Sequence, residues 1–260
     1  MFLSAIAGMT KILQDYAIDV ENFTKDFGDV KAVDGLTLKI PEGEIFGLLG
    51  PNGSGKTTTI NCLSGLVEPT SGLLKVGGFN VQKESKHERK ILGICPQETA
   101  FFPYLSGKEN VELFGELYSV PREQLKRNVP FILEKVGLTD DAKRRVSKYS
   151  GGMKRRVSIA MALVQDPKIV FLDEPTVGMD PQSRRAIWDF VVELKEEGKT
   201  ILLTTHYLEE AEQLCDEVGI IDQGKLIELG SPEALKEKYR VKDLEEVFIQ
   251  LTGRKIRDGA

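Results

Sequence analysis

The feature that most constrains the fold is a glycine-rich loop at residues 50–57, which reads Gly-Pro-Asn-Gly-Ser-Gly-Lys-Thr. It matches the spacing G-x-x-x-x-G-K-[ST] and lies between an apolar, strand-like run at residues 45–49 and a predicted helix that begins near Lys56. In this setting the N–H groups of the turn and of the helix N-terminus form a concave anion site, which the Lys56 ammonium reinforces. The alternative is an ordinary glycine-rich turn with a solvated lysine, which the flanking elements disfavour. The loop therefore predicts a phosphate-binding site.

Two further apolar runs, residues 169–172 and 201–203, have the continuous pattern of strands that are buried on both faces. Each is followed at once by polar residues, Asp173 and Glu174 after the first run and residues 204–206 after the second. Ligands of open α/β sheets bind outside the carboxyl ends of the strands. We therefore expect these polar residues to meet the glycine-rich loop in one crevice.

The polar residues at the predicted strand ends have separate candidate roles. Asp173 would help to hold a metal ion, and Glu174 would polarise the water that attacks a terminal phosphate. The alternative for both is a helix-capping acidic pair before Pro175. His206 could hydrogen-bond the terminal phosphate or orient the water. Gln97 is a neutral candidate ligand for the metal or the water, and the residues alone leave that role open.

A second glycine-rich segment, Tyr-Ser-Gly-Gly-Met at residues 149–153, precedes apolar residues at helical spacing and so predicts the start of a helix. Its first turn carries Lys154, Arg155 and Arg156, which oppose the positive end of the helix dipole and would normally be disfavoured. Together with the N–H groups of the paired glycines, this cluster is typical of an anion-binding helix start. The alternative is a solvated basic face behind a glycine-rich cap.

Length and charge narrow the class of protein. With 260 residues the chain is long enough for one large α/β domain or two small ones. Its net charge of -5 argues against nucleic acid as a partner. The three cysteines show no CxxC pairing, so we expect neither disulfides nor a zinc site. We also expect a reducing compartment.

No apolar run approaches the roughly 18 residues of a membrane span. Of the two histidines, His87 lies in a charged stretch and is predicted to be a solvated surface residue.

The pattern along the chain predicts five segments around a mostly parallel sheet covered by helices. Strand-like runs that predict a small antiparallel layer are residues 17–23, 31–40, 73–76 and 79–81. Helices are predicted over 108–118 and 122–136, and an amphipathic tail helix contains residues 244–251. The segments are an N-terminal extension (1–16), the antiparallel layer with the glycine-rich loop (17–96), a helical subdomain (97–166), the remaining core (167–230) and a helical tail (231–260).

In order and spacing these landmarks resemble the nucleotide-binding subunit of ABC transporters. The glycine-rich loop resembles the Walker A motif of that family, Gln97 its Q-loop glutamine and residues 149–153 its signature. Residues 169–174 resemble Walker B with its catalytic glutamate, and His206 resembles the switch histidine. The implied fold is an α/β P-loop NTPase with a RecA-like, mostly parallel sheet core, an antiparallel β layer and an inserted α-helical subdomain.

The resemblance also implies ATP and Mg²⁺ as cofactors and assigns roles to individual residues. Catalysis would fall to Glu174, His206 and Lys56, and the metal ligands would be Thr57, Gln97 and Asp173. The predicted nucleotide-binding residues are Phe27, Gly50, Pro51, Asn52, Gly53, Ser54, Gly55, Lys56, Thr57, Thr58, Ser150, Gly151, Gly152 and Asp180. Phe27 matches the position that stacks on adenine, and Asp180 belongs to the D-loop at residues 178–180.

The same resemblance implies partners and a location. Two subunits, expected to be a homodimer, sandwich two ATP molecules, so that Ser150, Gly151 and Gly152 of one chain touch the nucleotide on the other. A transmembrane permease would dock near the aromatic residues at positions 101, 102 and 104, for which subdomain core is the alternative role. The chain would then be cytoplasmic and peripheral on the inner face of the membrane.

The signature departs from the commonest form of the family, because Tyr149 and Met153 stand where leucine and glutamine are usual. Such variants resemble the ABC-2 or daunorubicin-resistance exporter branch, and so does the tail at residues 244–248. Export is therefore expected. The alternative function is a non-transport ABC-type ATPase that gates a soluble complex. A GTPase is disfavoured because no Asn-Lys-x-Asp motif occurs, and a P-loop kinase would leave the signature unexplained.

Overall fold

A six-stranded sheet lies at the centre of the protein. The structure is a computed structural model, and it describes residues 16–83, 90–98 and 100–255. In chain order the strands are β1 (Tyr16–Phe27), β2 (Val30–Pro41), β3 (Ile45–Leu49), β4 (Ser71–Val76), β5 (Phe79–Asn80), β6 (Leu92–Cys95), β7 (Ile169–Asp173), β8 (Thr200–Thr205), β9 (Glu217–Asp222) and β10 (Lys225–Gly230). The helices are α1 (Lys56–Leu63), α2 (Gly107–Leu117), α3 (Arg122–Lys135), α4 (Gly151–Leu163), α5 (Pro181–Glu196), α6 (Leu208–Leu214), α7 (Pro232–Tyr239) and α8 (Leu244–Thr252). Residues 1–15 of the predicted N-terminal extension, and the surface prediction for His87, lie outside the described residues.

The central sheet has the strand order β10-β9-β3-β8-β7-β6. β3 pairs in parallel with β8 and β9, and β7 pairs in parallel with β8 and β6. Among the described residues, β10 at the edge is the one strand of this sheet that runs antiparallel to its neighbour, β9. β3, β7 and β8 are buried along their whole length, which confirms the mostly parallel sheet predicted from their continuous apolar runs.

The two faces of the central sheet belong to different hydrophobic cores. Successive side chains of a strand point to opposite faces, so Phe46 and Leu48 of β3 enter one core and Ile45 and Leu49 enter the other. The first core is shared with the antiparallel sheet and α1, and the second with α2 to α8. Each fully buried side chain of this kind contributes about 1.5–3 kcal/mol relative to leaving it in water. Burial on both sides therefore holds the sheet, and the residues at its carboxyl edge, in a fixed position.

The second sheet is antiparallel, with the strand order β2-β1-β4-β5. It confirms the predicted layer and the turn after Phe27. The prediction that Val81 continues the last strand was wrong, because a helical turn begins at this residue. The side chain of Asn80 accepts a hydrogen bond from the backbone N–H of Gln82 at 3.0 Å, and this contact favours the start of a helical turn over continued strand.

The helices confirm the predicted helical character of residues 97–166 and of the tail. α2 begins with a capping box, in which the side chain of Ser106 accepts from the backbone N–H of Glu109 and the Glu109 carboxylate accepts from the backbone N–H of Ser106. In α8 the apolar residues Leu244, Val247 and Phe248 are each 0% exposed, and Leu251 packs against the same core while partly buried. The exact limits of the five predicted segments stay a prediction. Within residues 16–83, 90–98 and 100–255, no helix has the length and apolar character that crossing a bilayer requires.

Candidate phosphate-binding site

The carboxyl ends of four parallel strands lie side by side at one edge of the central sheet. The chain leaves β3 into the glycine-rich loop, β6 towards Gln97, β7 into Glu174 and β8 into His206. The register aligns these ends, with the pairs Leu49–Thr205, Asp173–Thr204 and Cys95–Leu172. The structure therefore brings the strand-end residues together in one crevice, as the strand pattern predicts.

The glycine-rich loop packs so closely against neighbouring backbone that two of its positions have no room for a side chain. A Cβ at Gly50 would lie 2.2 Å from the carbonyl oxygen of Ile221. Gly55 has a φ of 107°, and a Cβ there would lie 2.5 Å from the carbonyl oxygen of Ala32. Gly55 is also the N-cap of α1, and no side chain caps this helix, so its first N–H groups are open to a ligand. Ser54 Oγ is buried and has no hydrogen-bond partner among the residues that the structure describes.

Lys56 connects this loop to the strand ends. Its Nζ donates hydrogen bonds to the carbonyl oxygens of Gly50 at 2.8 Å and Pro51 at 3.1 Å. It also lies 3.5 Å from Glu174 Oε1, and both side chains are 4% exposed. Burial lowers the pKa of Lys56, and the adjacent carboxylate of Glu174 opposes that shift. The ammonium therefore lies at the anion site, between the loop and the carboxyl edge of the sheet.

Thr57 and Asp173 form a pair of oxygen donors beside the loop. Thr57 Oγ1 donates to Asp173 Oδ1 at 3.3 Å, and the same carboxylate oxygen accepts from Thr204 Oγ1. In the described ranges no group of three His, Cys, Asp or Glu side chains could hold a metal ion by itself. Mg²⁺ is usually bound by one or two carboxylates together with substrate phosphates. Thr57 and Asp173 therefore fit Mg²⁺ as a partial ligand set that phosphate oxygens would complete.

Glu174 is held by partners on every neighbouring strand end. Its Oε1 lies 3.1 Å from His206 Nδ1, and its Oε2 accepts from Gln97 Nε2 at 3.0 Å. Its backbone has a φ of 50°, which is uncommon for a residue other than glycine and is maintained only where the surroundings enforce it. Burial would raise the pKa of Glu174, but the hydrogen bond with His206 and the charge of Lys56 lower it overall. The carboxylate is therefore kept in the ionised form that a general base requires.

A cavity of about 570 Å³ opens beside the loop. The predicted site residues that line it are Phe27, Asn52, Gly53, Gly55, Lys56, Thr57, Thr58, Gln97 and Glu174. Phe27 lines the cavity with a ring that is 50% exposed and has the Lys25 ammonium 4.7 Å from its centroid, and its stacking on adenine stays a prediction. The cavity is also lined by residues to which the sequence analysis gave no role, Val30, Lys31, Ala32 and Gln223. No local motif marks these residues, because only the packing of the two sheets brings them to the loop.

Gly50, Pro51 and Ser54 belong to the loop itself but do not line the cavity, and neither do the predicted binding residues outside the loop, Ser150, Gly151, Gly152 and Asp180. Ser150 caps α4 with its side chain, and Asp180 caps α5 in the same way. Ser150, Gly151 and Asp180 are exposed at the surface. Within one chain, the structure therefore does not join this second group of residues to the glycine-rich loop.

Two of the three basic residues in the first turn of α4 bond main-chain carbonyls, so the alternative of a solvated face was wrong for Arg155, while anion binding at the helix start stays a prediction. Arg155 is only 6% exposed and donates to the backbone carbonyls of Asp173 and Pro175. Arg156 donates to two carbonyls that follow α3. Main-chain carbonyl oxygens therefore accept hydrogen bonds from both guanidinium groups. The sequence could not show this, because it does not reveal which way a long side chain at a helix start points.

This arrangement defines a class of protein. A glycine-rich loop leads from a central parallel strand into a helix N-terminus, and an Asp-Glu pair ends a nearby strand at the same edge. Together with a buried lysine and a Thr-Asp pair suited to Mg²⁺, this is the architecture of a P-loop NTPase.

Comparison with known proteins narrows the class to a family. A family model described as ABC transporter matches residues 33–177, more than half of the chain. The chain is 46% identical over 214 residues to a linearmycin resistance ATP-binding protein of Bacillus subtilis, across 82% of this chain and 69% of that protein. It is 42% identical over 224 residues to a daunorubicin resistance ATP-binding protein of Streptomyces coeruleorubidus, across 86% of this chain and 71% of that protein.

The fold gives the same result. The ATP-binding subunit of an ABC transporter superimposes with a TM-score of 0.83 at 27% identity, over 91% of this chain and 99% of the other. A dimeric ATP-binding cassette in a post-hydrolysis state, bound to ADP and Pi, superimposes with a TM-score of 0.76 at 27% identity, over 82% and 98%. The chain belongs to the ABC transporter family, as an ATP-binding domain of that family. The predicted family, its fold class and the likeness to resistance exporters are confirmed.

Proposed function

We propose that this chain binds ATP with Mg²⁺ in the cavity, hydrolyses it, and uses the cycle to drive export through a transmembrane permease of the ABC-2 type. The observation that carries the proposal is the position of Glu174. Its carboxylate lies at the carboxyl edge of the sheet, in contact with Lys56, His206 and Gln97 and one residue after Asp173. A general base, a phosphate-binding cation and a metal ligand are thereby gathered at one cavity.

Each residue then has a defined task in phosphate transfer. The N–H groups at the start of α1 and the Lys56 ammonium bind the phosphates. Thr57 and Asp173 would hold Mg²⁺, with Gln97 as a further ligand, and the ion would neutralise charge on the phosphates. Glu174 accepts a proton from the attacking water, and His206 orients the Glu174 carboxylate or the terminal phosphate.

The second half of the site is proposed to come from another copy of the chain. Ser150 and Gly151 are exposed at the N-terminus of α4, a helix end whose N–H groups can bind phosphate. They lie outside the cavity of their own chain, so a second copy is needed to bring them to a nucleotide bound by the first. The structural likeness to a cassette solved as a dimer with ADP and Pi supports a homodimer closed by ATP.

Export is supported by the relatives, and docking on a permease is supported by one surface feature. Besides the two resistance proteins, the chain is 41% identical over 236 residues to a Nod factor export ATP-binding protein of Paraburkholderia xenovorans, across 91% of this chain and 78% of that protein. Next to Gln97, Phe102 is 51% exposed and Tyr104 is 78% exposed, whereas Phe101 packs on the core. We propose that Phe102 and Tyr104 contact the permease and that the chain is cytoplasmic, on the inner face of the membrane.

The test is the substitution Glu174→Gln, which keeps the shape of the side chain and removes its basicity. We expect turnover to fall by about 10²- to 10⁴-fold, the usual contribution of a general base, while ATP still binds and holds a dimer, because binding depends on Lys56 and the loop rather than on the base. Light scattering and phosphate release measured on the same sample check both expectations. A variant that remains monomeric with ATP and hydrolyses it at the wild-type rate would overturn the proposal.

A further inference from the structure

Arg155 is a buried cation whose bonds all reach the two loops that carry Gln97 and Glu174. Its Nε donates to the carbonyl oxygen of Pro175 at 3.0 Å, and its Nη2 donates to that of Asp173. Its Nη1 donates to the carbonyl oxygens of Pro96 at 2.5 Å and Gln97 at 3.3 Å. One guanidinium on α4 therefore joins the chain after β7 to the chain after β6.

The bonded carbonyls are placed so that they control Glu174. Asp173 and Pro175 are its two neighbours in sequence, so Arg155 holds the backbone on both sides of the residue whose φ is 50°. A left-handed conformation at a residue other than glycine costs about 1–3 kcal/mol and needs surrounding contacts to maintain it. The other two carbonyls fix the start of the loop from which Gln97 Nε2 reaches Glu174 Oε2 at 3.0 Å. Both the backbone and the side chain of Glu174 therefore depend on Arg155.

Packing alone does not explain a guanidinium at this position. Arg155 is 6% exposed, and none of its described hydrogen bonds goes to a carboxylate, so its burial carries a desolvation cost. An apolar side chain of similar volume would avoid that cost. Only arginine, however, presents several N–H donors in a rigid planar fork, whereas lysine offers a single flexible ammonium group.

From this we infer that Arg155 is a positioning residue, which fixes Glu174 and Gln97 relative to each other and ties both to the helix that begins at Ser150. The inference rests on the proposed role of Glu174 as the base. It also gives α4 a second task. In the proposed dimer the N-terminus of α4 contacts the nucleotide of the partner chain. Through Arg155, α4 is also bonded to the loops of Glu174 and Gln97 in its own chain, so a shift of α4 would move these two residues.

Two variants of Arg155 test this, with the adjacent arginine as the matched control. Arg155→Met removes all four carbonyl bonds, and Arg155→Lys keeps the charge without the fork. Arg156 lies on the same helix, and its Nη1 bonds two carbonyls, those of Val136 and Gly137, in the helical region away from the cavity. Arg156→Met therefore measures how much stability and kcat change when an arginine that anchors this helix is lost without a contact to the loops of Gln97 and Glu174.

We expect Arg155→Met to lower kcat by about 10- to 100-fold, a part of the contribution that a well-placed general base makes. The Kd for ATP, measured by calorimetry, should change by less than about threefold, because the residues that grip the phosphates are untouched. Arg155→Lys should fall between Arg155→Met and the wild type in kcat. Arg156→Met should lower Tm by about as much as Arg155→Met does. It should nevertheless change kcat by less than about threefold.

A double-mutant cycle separates positioning from general destabilisation. If Arg155 acts through Glu174, Arg155→Met should cost little further rate in a Glu174→Ala background, so the two losses should not add. Additive losses, or equal kcat values for the Arg155 and Arg156 variants at matched Tm, would overturn the inference. If Arg155→Met does not fold, Arg155→Lys provides the test. A wild-type kcat for Arg155→Lys would show that the planar guanidinium is not needed to position Glu174. Failure of the wild-type chain to hydrolyse ATP would instead count against the proposed function.

Discussion

Lys56 is a single buried residue that contacts both the glycine-rich loop and the strand end at Glu174. Its ammonium bonds two carbonyl oxygens of the glycine-rich loop and lies 3.5 Å from Glu174 Oε1. When a phosphate binds at the loop, the ammonium can pair with it instead of with Glu174. In the proposed function, nucleotide binding would therefore be coupled to release of the Glu174 carboxylate from Lys56.

At this residue we predict that Lys56→Ala weakens ATP binding by about 10- to 100-fold, because a hydrogen bond to a charged group is worth about 1.5–3 kcal/mol. Isothermal titration calorimetry with ATP and Mg²⁺ measures the change directly. Lys126→Ala is the control, since Lys126 is an exposed lysine of α3 paired with Glu123. Equal affinities for the two variants would show that the ammonium does not contact the phosphates.

The sequence predicts the positions of the candidate site residues better than it predicts their contacts. Glu174 and His206 could be placed because each follows a run of apolar residues whose burial on both faces is visible in the pattern. Thr204 Oγ1, which accepts from the backbone N–H of Glu174 at 3.0 Å and donates to Asp173, received no role. For Arg155 the sequence indicates only a basic cluster at a helix start, not the bonds to the carbonyls of Asp173 and Pro175. Such contacts depend on the register of two strands and on side-chain direction, neither of which leaves a periodic signal in the chain.

At the scale of elements, a buried carboxyl group on α6 joins three segments near the site. Glu210 is 0% exposed, and its Oε1 accepts from Thr176 Oγ1 at 2.7 Å and from Trp188 Nε1 at 3.0 Å. These partners lie in the segment after β7 and on α5. Burial raises the pKa of Glu210, and hydrogen bonds from Thr205, Thr176 and Trp188 and the charge of Arg184 oppose this only in part. We therefore expect the attachment of α6 to depend on pH through Glu210.

The sign of this dependence follows from the raised pKa. The native state holds the proton of Glu210 at pH values where the unfolded chain has released it, so the stability contributed by this group is present below the ordinary value of 4.5 and is lost as the pH rises through the folded pKa. We predict that the free energy of unfolding of Glu210→Gln, relative to wild type, increases with pH above 4.5, by at most about 1.4 kcal/mol per pH unit.

Urea denaturation of both proteins across this range measures the difference. Glu209→Gln is the matched control, because Glu209 is the preceding residue of α6 and is exposed. If the wild-type chain and Glu210→Gln have parallel pH profiles, the carboxyl group of Glu210 is ionised in the native state and does not control the attachment of α6.

Elements with a strong period could be predicted, and elements decided by local hydrogen bonds could not. The tail helix α8 was visible because its apolar residues recur at helical spacing, and their burial follows from that pattern. The strand-like run at residues 79–81 includes Val81, but the side chain of Asn80 caps the backbone just beyond it. A single side-chain contact of this kind outweighs a weak intrinsic preference.

At the scale of the whole molecule, Gly151 is a glycine that its own chain does not require. Its φ is not positive, and a Cβ built on it would meet nothing within 4 Å. Gly50 and Gly55, by contrast, are required by backbone contacts within the chain. A glycine with open space on a helix N-terminus is explained by close approach of something outside the chain, which in the proposed dimer is the nucleotide bound to the other copy.

The variant Gly151→Asp isolates that contact. An aspartate in the first turn of α4 is favourable for the helix, because a negative charge there complements the helix dipole. The monomer should therefore fold and bind ATP like the wild type, while the new carboxylate repels the phosphates offered by a second copy. We predict that Gly151→Asp and Lys56→Ala each lack ATPase activity when assayed alone.

Mixed together, the two inactive variants should recover activity, because a composite site needs Lys56 from one chain and Gly151 from the other. A mixed dimer then contains one intact site, formed by Lys56 of the Gly151→Asp chain and Gly151 of the Lys56→Ala chain. If chains pair at random, half of the dimers are mixed and each has one site of two, so an equal mixture should reach about a quarter of the wild-type rate. Phosphate release is measured over a series of mixing ratios, and differently tagged chains establish that mixed dimers form. If mixed dimers are present and the rate of phosphate release stays at zero at every ratio, the composite site is contradicted. If Gly151→Asp is active when assayed alone, the site is complete within one chain.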